Sequence, residues 1–179
     1  MSIEITFETH STSVHNERGI ATGWLDGELS VLGREQASEL GARRAGTVDV
    51  VYTSDLRRAV QTAEIAFGDV GMPIHQDRRL RECNYGTMNG VKVEELQRIR
   101  RAHIDEPFEN GESYGDVVAR TRDLLDDLAR DHQGRRVALI GHSANRWALE
   151  HLFHGTPLDE LVGPFDWQPG WHYSLRNDV

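Results

Sequence analysis

The sequence has one cysteine, no long apolar run and too few positive charges to balance its acids. Cys83 alone excludes an internal disulfide and a cysteine-based zinc site. The longest apolar stretch, Val137-Ala138-Leu139-Ile140, falls far short of the ~20 residues that cross a bilayer. Lys and Arg total 20 against 29 Asp and Glu, a formal net charge of −9. The average field therefore repels a phosphate backbone, and neither nucleic acid nor a membrane surface is an expected partner. A locally positive pocket for a small anion stays compatible with that charge. Met1-Ser2-Ile3-Glu4 lacks the basic and apolar regions of a signal peptide, so a reducing, cytoplasmic location is expected.

What is present suits a globular domain. The chain has 179 residues, 38% of them hydrophobic and 27% charged, enough for one core rather than a disordered chain. No repeat, low-complexity tract or shift in composition divides it, which predicts a single domain over residues 1–179. The nine histidines are many for this length.

Short β patterns alternate with helical ones. Ile3, Ile5 and Phe7 alternate with polar neighbours in a strand ending near His10. A loop rich in Ser, Thr, Asn and Gly runs to Ser30, which caps a helix through about Arg44. Val48–Tyr52 is a second strand, and Ser54-Asp55 reads as the cap and first turn of a helix through Phe67. A short strand around Pro73–His75 and a turn-rich stretch, Asn84–Gly90, follow. Helical spacing resumes over Val93–Ala102 and, more strongly, over Tyr114–His132, where Val117, Val118, Thr121, Leu124, Leu125 and Leu128 share a face. Val137–Ile140 is a buried strand, Ala144–Phe153 a helix, and Trp171–Leu175 a last strand. The pattern predicts an α/β fold with a largely parallel sheet.

Open sheets of this kind bind ligands at the carboxyl ends of their strands. His10 and His142 each follow a strand, and they meet in space if those strands are neighbours. Asn16 and Ser143 lie beside them in sequence, Arg58 lies one turn into the helix after Ser54, and Glu82 sits in a loop. Two imidazoles, a guanidinium, an amide and a carboxylate suit phosphoryl transfer without a metal. A neutral histidine attacks phosphorus, a protonated histidine and an arginine hold the equatorial oxygens, and the carboxylate moves the proton.

At these residues the chain resembles the histidine phosphatase superfamily, the phosphoglycerate-mutase-like proteins. Thr9-His10-Ser11 stands where that family has Arg-His-Gly, with Asn16 in its Asn position. Thr22-Gly23-Trp24-Leu25-Asp26-Gly27-Glu28-Leu29-Ser30 matches its Ser-Gly-x-x-x-x-x-Leu-(Ser/Thr) segment. Ser54-Asp55-Leu56-Arg57-Arg58-Ala59-Val60-Gln61-Thr62 matches Ser-x-x-x-Arg-Ala-x-x-Thr, and Leu80–Gly86 matches Leu-x-Glu-x-x-(Tyr/Phe)-Gly. Gly111-Glu112-Ser113 and Gly141-His142 complete the order. The resemblance implies a three-layer α/β/α sandwich and hydrolysis of a small phosphomonoester through a phosphohistidine on His10, with no cofactor and no metal. It implies Glu82 as proton donor, with His142, Asn16 and Arg58 around the phosphate, the Ser143 N–H as a further donor, and Thr22 and Gly23 in the substrate site.

Three departures stand out: Thr9 replaces the motif arginine, Ser11 and Ser143 replace glycines, and Thr12 replaces a usual Glu. By strand alternation Glu8 shares a side with His10, where its charge opposes phosphate unless paired. The missing charge is expected from Arg57, Arg81 or Arg146, with the Thr9 and Ser11 hydroxyls assisting. The short segment Lys92–Asn110 is expected to cap the pocket and select among sugar phosphates, phosphoglycerates, α-ribazole phosphate and phosphoproteins. Because the long insertions of cofactor-dependent mutases are absent there, water is the expected acceptor.

Rival readings are fewer. Gly141-His142-Ser143 resembles the start of a Gly-x-Ser-x-Gly nucleophile elbow with Asp159 or Asp166 and His172 behind it, but Asn145 occupies the last glycine position. A metal held by His10, His15 and His142 lacks a carboxylate or thiolate at ligand spacing. A non-catalytic phosphate-binding member of the same fold would have no use for Glu82. The other histidines read as ordinary polar or packing residues, Cys83 as packing, and Trp24 as either core or substrate-facing.

Overall fold

The computed structural model describes residues 2–176; Met1, at the head of the segment read above for targeting signals, and residues 177–179 lie outside the described part. Strands β1 (Ser2–Thr9), β2 (Val50–Thr53), β3 (Ile74–Gln76), β4 (Arg136–Gly141) and β5 (Trp171–Arg176) form one sheet in the order β3-β2-β4-β1-β5. The first four run parallel and β5 closes the edge antiparallel to β1. Helices α1 (Val14–Glu17), α2 (Val31–Arg44), α3 (Arg57–Phe67), α4 (Val93–Ile99), α5 (Tyr114–Asp131), α6 (Ser143–His154) and α7 (Leu158–Leu161) complete the chain. No helix among the described residues is long and apolar enough to cross a membrane.

Burial of β4 on both faces explains its unbroken apolar run. Val137 and Leu139 pack with Ile3, Ile5, Phe7, Leu124 and Leu128 under α5 and α6. Ala138 and Ile140 point the other way, into Leu40, Ala59, Ala63 and Phe67 of α2 and α3. The result is the expected three layers. Strands β1 and β4 are neighbours, in register from Glu4 with Arg136 to Thr9 with Gly141. That pairing brings the residues after both strands, His10 and His142, to one sheet edge.

The helix ends follow the capping rules at Ser30, whose Oγ accepts the Gly33 N–H, and at Ser113, which forms a reciprocal capping box with Asp116. Ser54 does not cap α3 as expected. The helix begins at Arg57 after an uncapped Leu56, and the Ser54 hydroxyl accepts the Leu56 N–H at 3.2 Å in the turn before it while also facing a histidine ring. Three elements also differ from the sequence reading. The loop to Ser30 contains α1, whose Ser13–Asn16 capping box nucleates one turn. The stretch from Val93 is α4 followed by a 3₁₀ turn, Arg100–His103, and α7 lies between the helix after β4 and β5, in a segment to which the sequence pattern assigned no element.

Candidate functional site

The sequence-nominated residues line one cavity of about 380 Å³ at the carboxyl ends of β1 and β4, with the exception of His142, which backs it. A space of that size takes a small organic ligand. Its walls include Thr9, His10, Asn16, Thr22, Gly23, Arg58, Glu82 and Ser143, and its roof includes Val93, Leu96, Gln97 and Arg100 from the expected capping segment. His10 and His142 lie with ring centroids 4.9 Å apart.

His10 is held in one tautomer. Its backbone N–H bonds the Gly141 carbonyl at 2.9 Å, which ties it to β4. Its Nδ1 lies 2.7 Å from the Ser11 carbonyl, an acceptor only, so Nδ1 carries the proton. Nε2 is left with a lone pair, 3.4 Å from the Arg58 Nε–H. Burial, and then the Arg58 charge, pull the His10 pKa down to about 3.

Arg58 is 2% exposed and spans the two imidazoles. Its Nη2 donates to the Gly23 carbonyl at 2.9 Å and to His142 Nδ1 at 3.3 Å. Since an arginine donates only, His142 Nδ1 accepts, and its Nε2–H faces the Ser54 hydroxyl at 3.0 Å. His142 is thus neutral in this geometry. Burial and the Arg58 charge hold its pKa well below the ordinary value, which corrects the expectation of a standing positive charge on that ring.

The motif around α3 acquires a physical meaning here. Arg58 and Thr62 lie one turn apart on α3 and share its face toward the strand ends, where Ser54 follows directly on β2. Ser54 orients His142, Arg58 touches both rings, and Thr62 Oγ1 accepts the Ser11 N–H at 3.0 Å. The last bond positions the carbonyl that fixes His10.

Glu82 is 8% exposed, and its Oε1 accepts the N–H groups of Cys83 at 2.8 Å and Ala144 at 3.3 Å. Burial nevertheless outweighs those bonds and the Arg58 charge, and its pKa is raised. A carboxyl with a raised pKa beside a histidine with a lowered one is an acid–base pair set by environment. Asn16 commits its Oδ1 to the Ser13 cap, at 2.9 Å from both N and Oγ, which leaves its NH₂ free to donate on the cavity wall. Thr22 Oγ1 bonds His15 Nδ1 at 3.2 Å. Gly23 has φ +52°, and a Cβ there would collide with the Asn89 side-chain oxygen.

Glu8 is buried but paired with Arg43 and Arg44, at 3.3 and 2.6 Å, so its charge is neutralised behind the site. The three arginines nominated to replace the motif guanidinium are occupied elsewhere. Arg57 pairs with Asp26 and Glu28. Arg81 forms two 2.7 Å bonds to Asp55 and stacks on Trp24. Arg146 leans on Phe165 and Trp171 near Glu150. None of the three lines the cavity; the second arginine that does is Arg100. Sequence reasoning missed it, although its place one turn after the buried Leu96 marked it as an arginine on an apolar helical face.

The remaining residues find ordinary work. Trp24 donates its indole N–H to the Glu82 carbonyl at 2.7 Å and so supports the acid rather than lining the cavity. Cys83 is fully buried, and burial pushes its thiol far up. His75 and His132 flank Tyr52, His103 stacks on Phe108, His151 bonds the Thr156 carbonyl, and His154 bonds Glu150. His172 bonds Thr6 on the outer strand, away from Ser143, and the elbow reading has no histidine to use.

An α/β sheet with two imidazoles and an arginine at the ends of adjacent parallel strands defines a protein of the phosphoglycerate-mutase-like fold. The histidine phosphatase superfamily (branch 1) matches residues 6–166, and the chain belongs to that family. It is 32% identical to phosphoglycerate mutase-like protein 4 of Arabidopsis thaliana over 152 residues, 78% of this chain and 66% of that protein. It thus spans slightly less than two thirds of the plant relative's length. Among solved structures, YhfR of Bacillus stearothermophilus superposes with a TM-score of 0.80 at 30% identity, covering 90% of this chain and 85% of the other. A mycobacterial glucosyl-3-phosphoglycerate phosphatase in complex with VO3 superposes with a TM-score of 0.78 at 27% identity, covering 89% and 85%.

Proposed function

We propose that this chain is a metal-independent phosphatase that hydrolyses a small phosphomonoester through a phosphohistidine on His10. The observation that carries this reading is the tautomer of His10, with Nδ1–H held by the Ser11 carbonyl and the Nε2 lone pair turned to Arg58. A lowered pKa keeps that lone pair free at neutral pH.

In the first step His10 Nε2 attacks phosphorus and the P–O ester bond breaks. The departing oxygen takes the proton of the Glu82 carboxyl. In the second step the Glu82 carboxylate removes a proton from water, whose oxygen attacks phosphorus as the N–P bond breaks. Phosphate leaves and His10 is restored. Arg58, the Asn16 NH₂ and the Ser143 N–H stabilise the equatorial oxygens. The arriving phosphoryl charge favours a second proton on His142, whose Nδ1 then donates instead of accepting.

Hydrolysis is favoured over mutase chemistry by the size of the roof. The capping segment contributes α4 and one 3₁₀ turn, beside the stretch 163–167, and a cover this short leaves the phosphohistidine open to water. The mycobacterial neighbour is named as a phosphatase and the plant relative as mutase-like, and both chemistries share the phosphoryl-transfer step. A non-catalytic, phosphate-binding role is disfavoured by Glu82, a buried acid that binding alone does not need.

Hydrolysis of p-nitrophenyl phosphate in excess EDTA by wild type and His10→Ala tests the proposal. Turnover that vanishes in the variant is expected. Equal rates in both would reject the mechanism, and silence in wild type across a panel of phosphomonoesters would support the binding-only alternative.

A further inference from the structure

Two arginines at the end of α2 meet one buried carboxylate. Glu8 is 2% exposed, and Arg44 holds it closely, with Nε and Nη2 at 2.7 and 2.6 Å from Oε1. Arg44 Nη2 also donates to the Pro169 carbonyl at 2.8 Å, so this side chain is anchored at both ends. Arg43 is the looser partner. Its Nη2 lies 3.3 Å from Glu8 Oε2, and its Nε is shielded from solvent without an acceptor among the described residues. Arginines in the last turn of a helix are ordinary where they are solvated. Arg43 instead lines a cavity.

That cavity, of about 540 Å³, lies between the end of β1 and the face of α2 that carries Gln36, Leu40 and Arg43. Gln36 docks the face by accepting the Thr12 N–H at 3.0 Å. Thr9, His10, Asn16 and Trp167 line this cavity and the catalytic one alike, so the two meet at the nucleophile. Thr9, Ser11 and Thr12, three of the residues by which the chain departs from its family's motif, stand in the same wall as Arg43.

In the transfer step the ester oxygen leaves on the Glu82 side, in line with His10 Nε2, and the equatorial oxygens turn to the remaining walls. Arg58 is the one guanidinium in contact with the imidazoles. Arg100, which has no ion pair among the described residues, lies in the roof over Trp147, and its charge bears on Glu82 and Tyr85. We propose that Arg43 is the second guanidinium of the phosphoryl site: with an ester bound it leaves Glu8 to Arg44 and turns through the shared cavity, past Thr9, to an equatorial oxygen. This deepens the phosphatase reading of the site and rests on it. Glu8 keeps its two short bonds to Arg44, while Arg43 exchanges one long bond for a charge-assisted pair with a phosphoryl oxygen. The short side chain of Thr9 leaves that path open.

The test reads kcat/KM for p-nitrophenyl phosphate and, by calorimetry, the affinity for inorganic phosphate. Arg43→Met is expected to lower both about 10–100-fold, the loss of one charge-assisted bond. Arg43→Lys, which keeps the charge without the fork, is expected to fall between. Two backgrounds separate this role from a structural one as a partner of Glu8. With Glu8→Gln no carboxylate needs neutralising, and the loss caused by Arg43→Met is expected to persist. With Thr9→Arg a guanidinium comes from the strand instead, and the same loss is expected to shrink to within about twofold. Thermal unfolding checks each variant, and should Thr9→Arg not fold, the Glu8→Gln pair decides alone.

A loss that vanishes with Glu8→Gln, or that stays whole with Thr9→Arg, would overturn the proposal and return Arg43 to the neutralisation of Glu8. So would an Arg43→Met variant with unchanged phosphate affinity and turnover. The binding arm is independent of catalysis. Phosphate affinity that follows these expectations, with no turnover of phosphomonoesters by wild type, would support the role of Arg43 while defeating the phosphatase reading. Hydrolysis dependent on His10 and indifferent to Arg43 would do the reverse.

Discussion

Thr62→Val isolates the link between α3 and the nucleophile. Thr62 is fully buried, and its Oγ1 donates to the Arg58 carbonyl at 2.8 Å while accepting the Ser11 N–H at 3.0 Å. Valine has nearly the same shape, so no cavity opens; what is lost is the acceptor. The Arg58 carbonyl keeps its place in the helix, but the Ser11 N–H, on a residue only 7% exposed, is left without a partner. An unsatisfied buried amide costs about 1–3 kcal/mol. For a chain of this length each kcal/mol lowers Tm by roughly 2–4 °C, so a fall of roughly 2–12 °C is expected.

The functional effect follows from the same bond. The Ser11 carbonyl fixes the His10 tautomer at 2.7 Å, and freeing the N–H on the other side of the same Cα lets the Ser11 backbone turn and loosens that hold. A misplacement of about 1 Å at a reacting group can cost ~100-fold in rate, so a fall of ~10–100-fold is expected. Calorimetric unfolding and p-nitrophenyl phosphate turnover measure the two effects, and Thr62→Ser, which retains the hydroxyl, is expected to recover most of the activity. An unchanged Tm together with an unchanged kcat would refute the reasoning, since it would mean that the Ser11 peptide is held by other contacts.

Three further outcomes are expected. The kcat/KM profile rises with pH as His10 loses its proton near pH 3, and falls as Glu82 ionises above the ordinary carboxylate value, so activity is weighted to acid. Glu82→Gln should abolish the descending limb that belongs to the enzyme, and a flat wild-type profile between about pH 4 and 8 would contradict the assigned roles. Gly33→Ala places a Cβ against the Thr12 carbonyl, in the loop after His10. The overlap costs about 1–3 kcal/mol, more than the roughly 0.5–1 kcal/mol that alanine returns to a helix interior, so net destabilisation measured by urea unfolding is expected.

Much of the site was legible in the chain because its residues sit in strict local spacing. Arg58 and Thr62 follow a helical period, and His10 and His142 each follow a strand whose side-chain pattern is plain. Local spacing reports which residues share a face and says nothing about what that face meets. The role of Ser54 was misread for this reason: a serine before a helix is a sound cap by local rules, and only the arrival of β4 beside β2 brings His142 to its hydroxyl. The same limit explains the arginines. The acidic partners of Arg57, Arg81 and Arg146 lie on other elements or a turn away, and the partnerless arginine was one of several in the run after Leu96.

By itself the sequence determined the alternation of strands and helices, the core faces and the residue types available for phosphoryl transfer, since these depend on periodicity and local hydrogen bonding. Tertiary structure decided which charges are spent on pairing and which face the cavity. It also decided the protonation of the two imidazoles, because a pKa responds to burial and to neighbours that chain order does not reveal. Burial and then the Arg58 charge silence both rings, Glu8 is neutralised by α2, and Arg100 is left without an ion pair among the described residues for one physical reason: the pairing of β1 with β4, and the packing of helices across it, set distances that no sequence separation encodes.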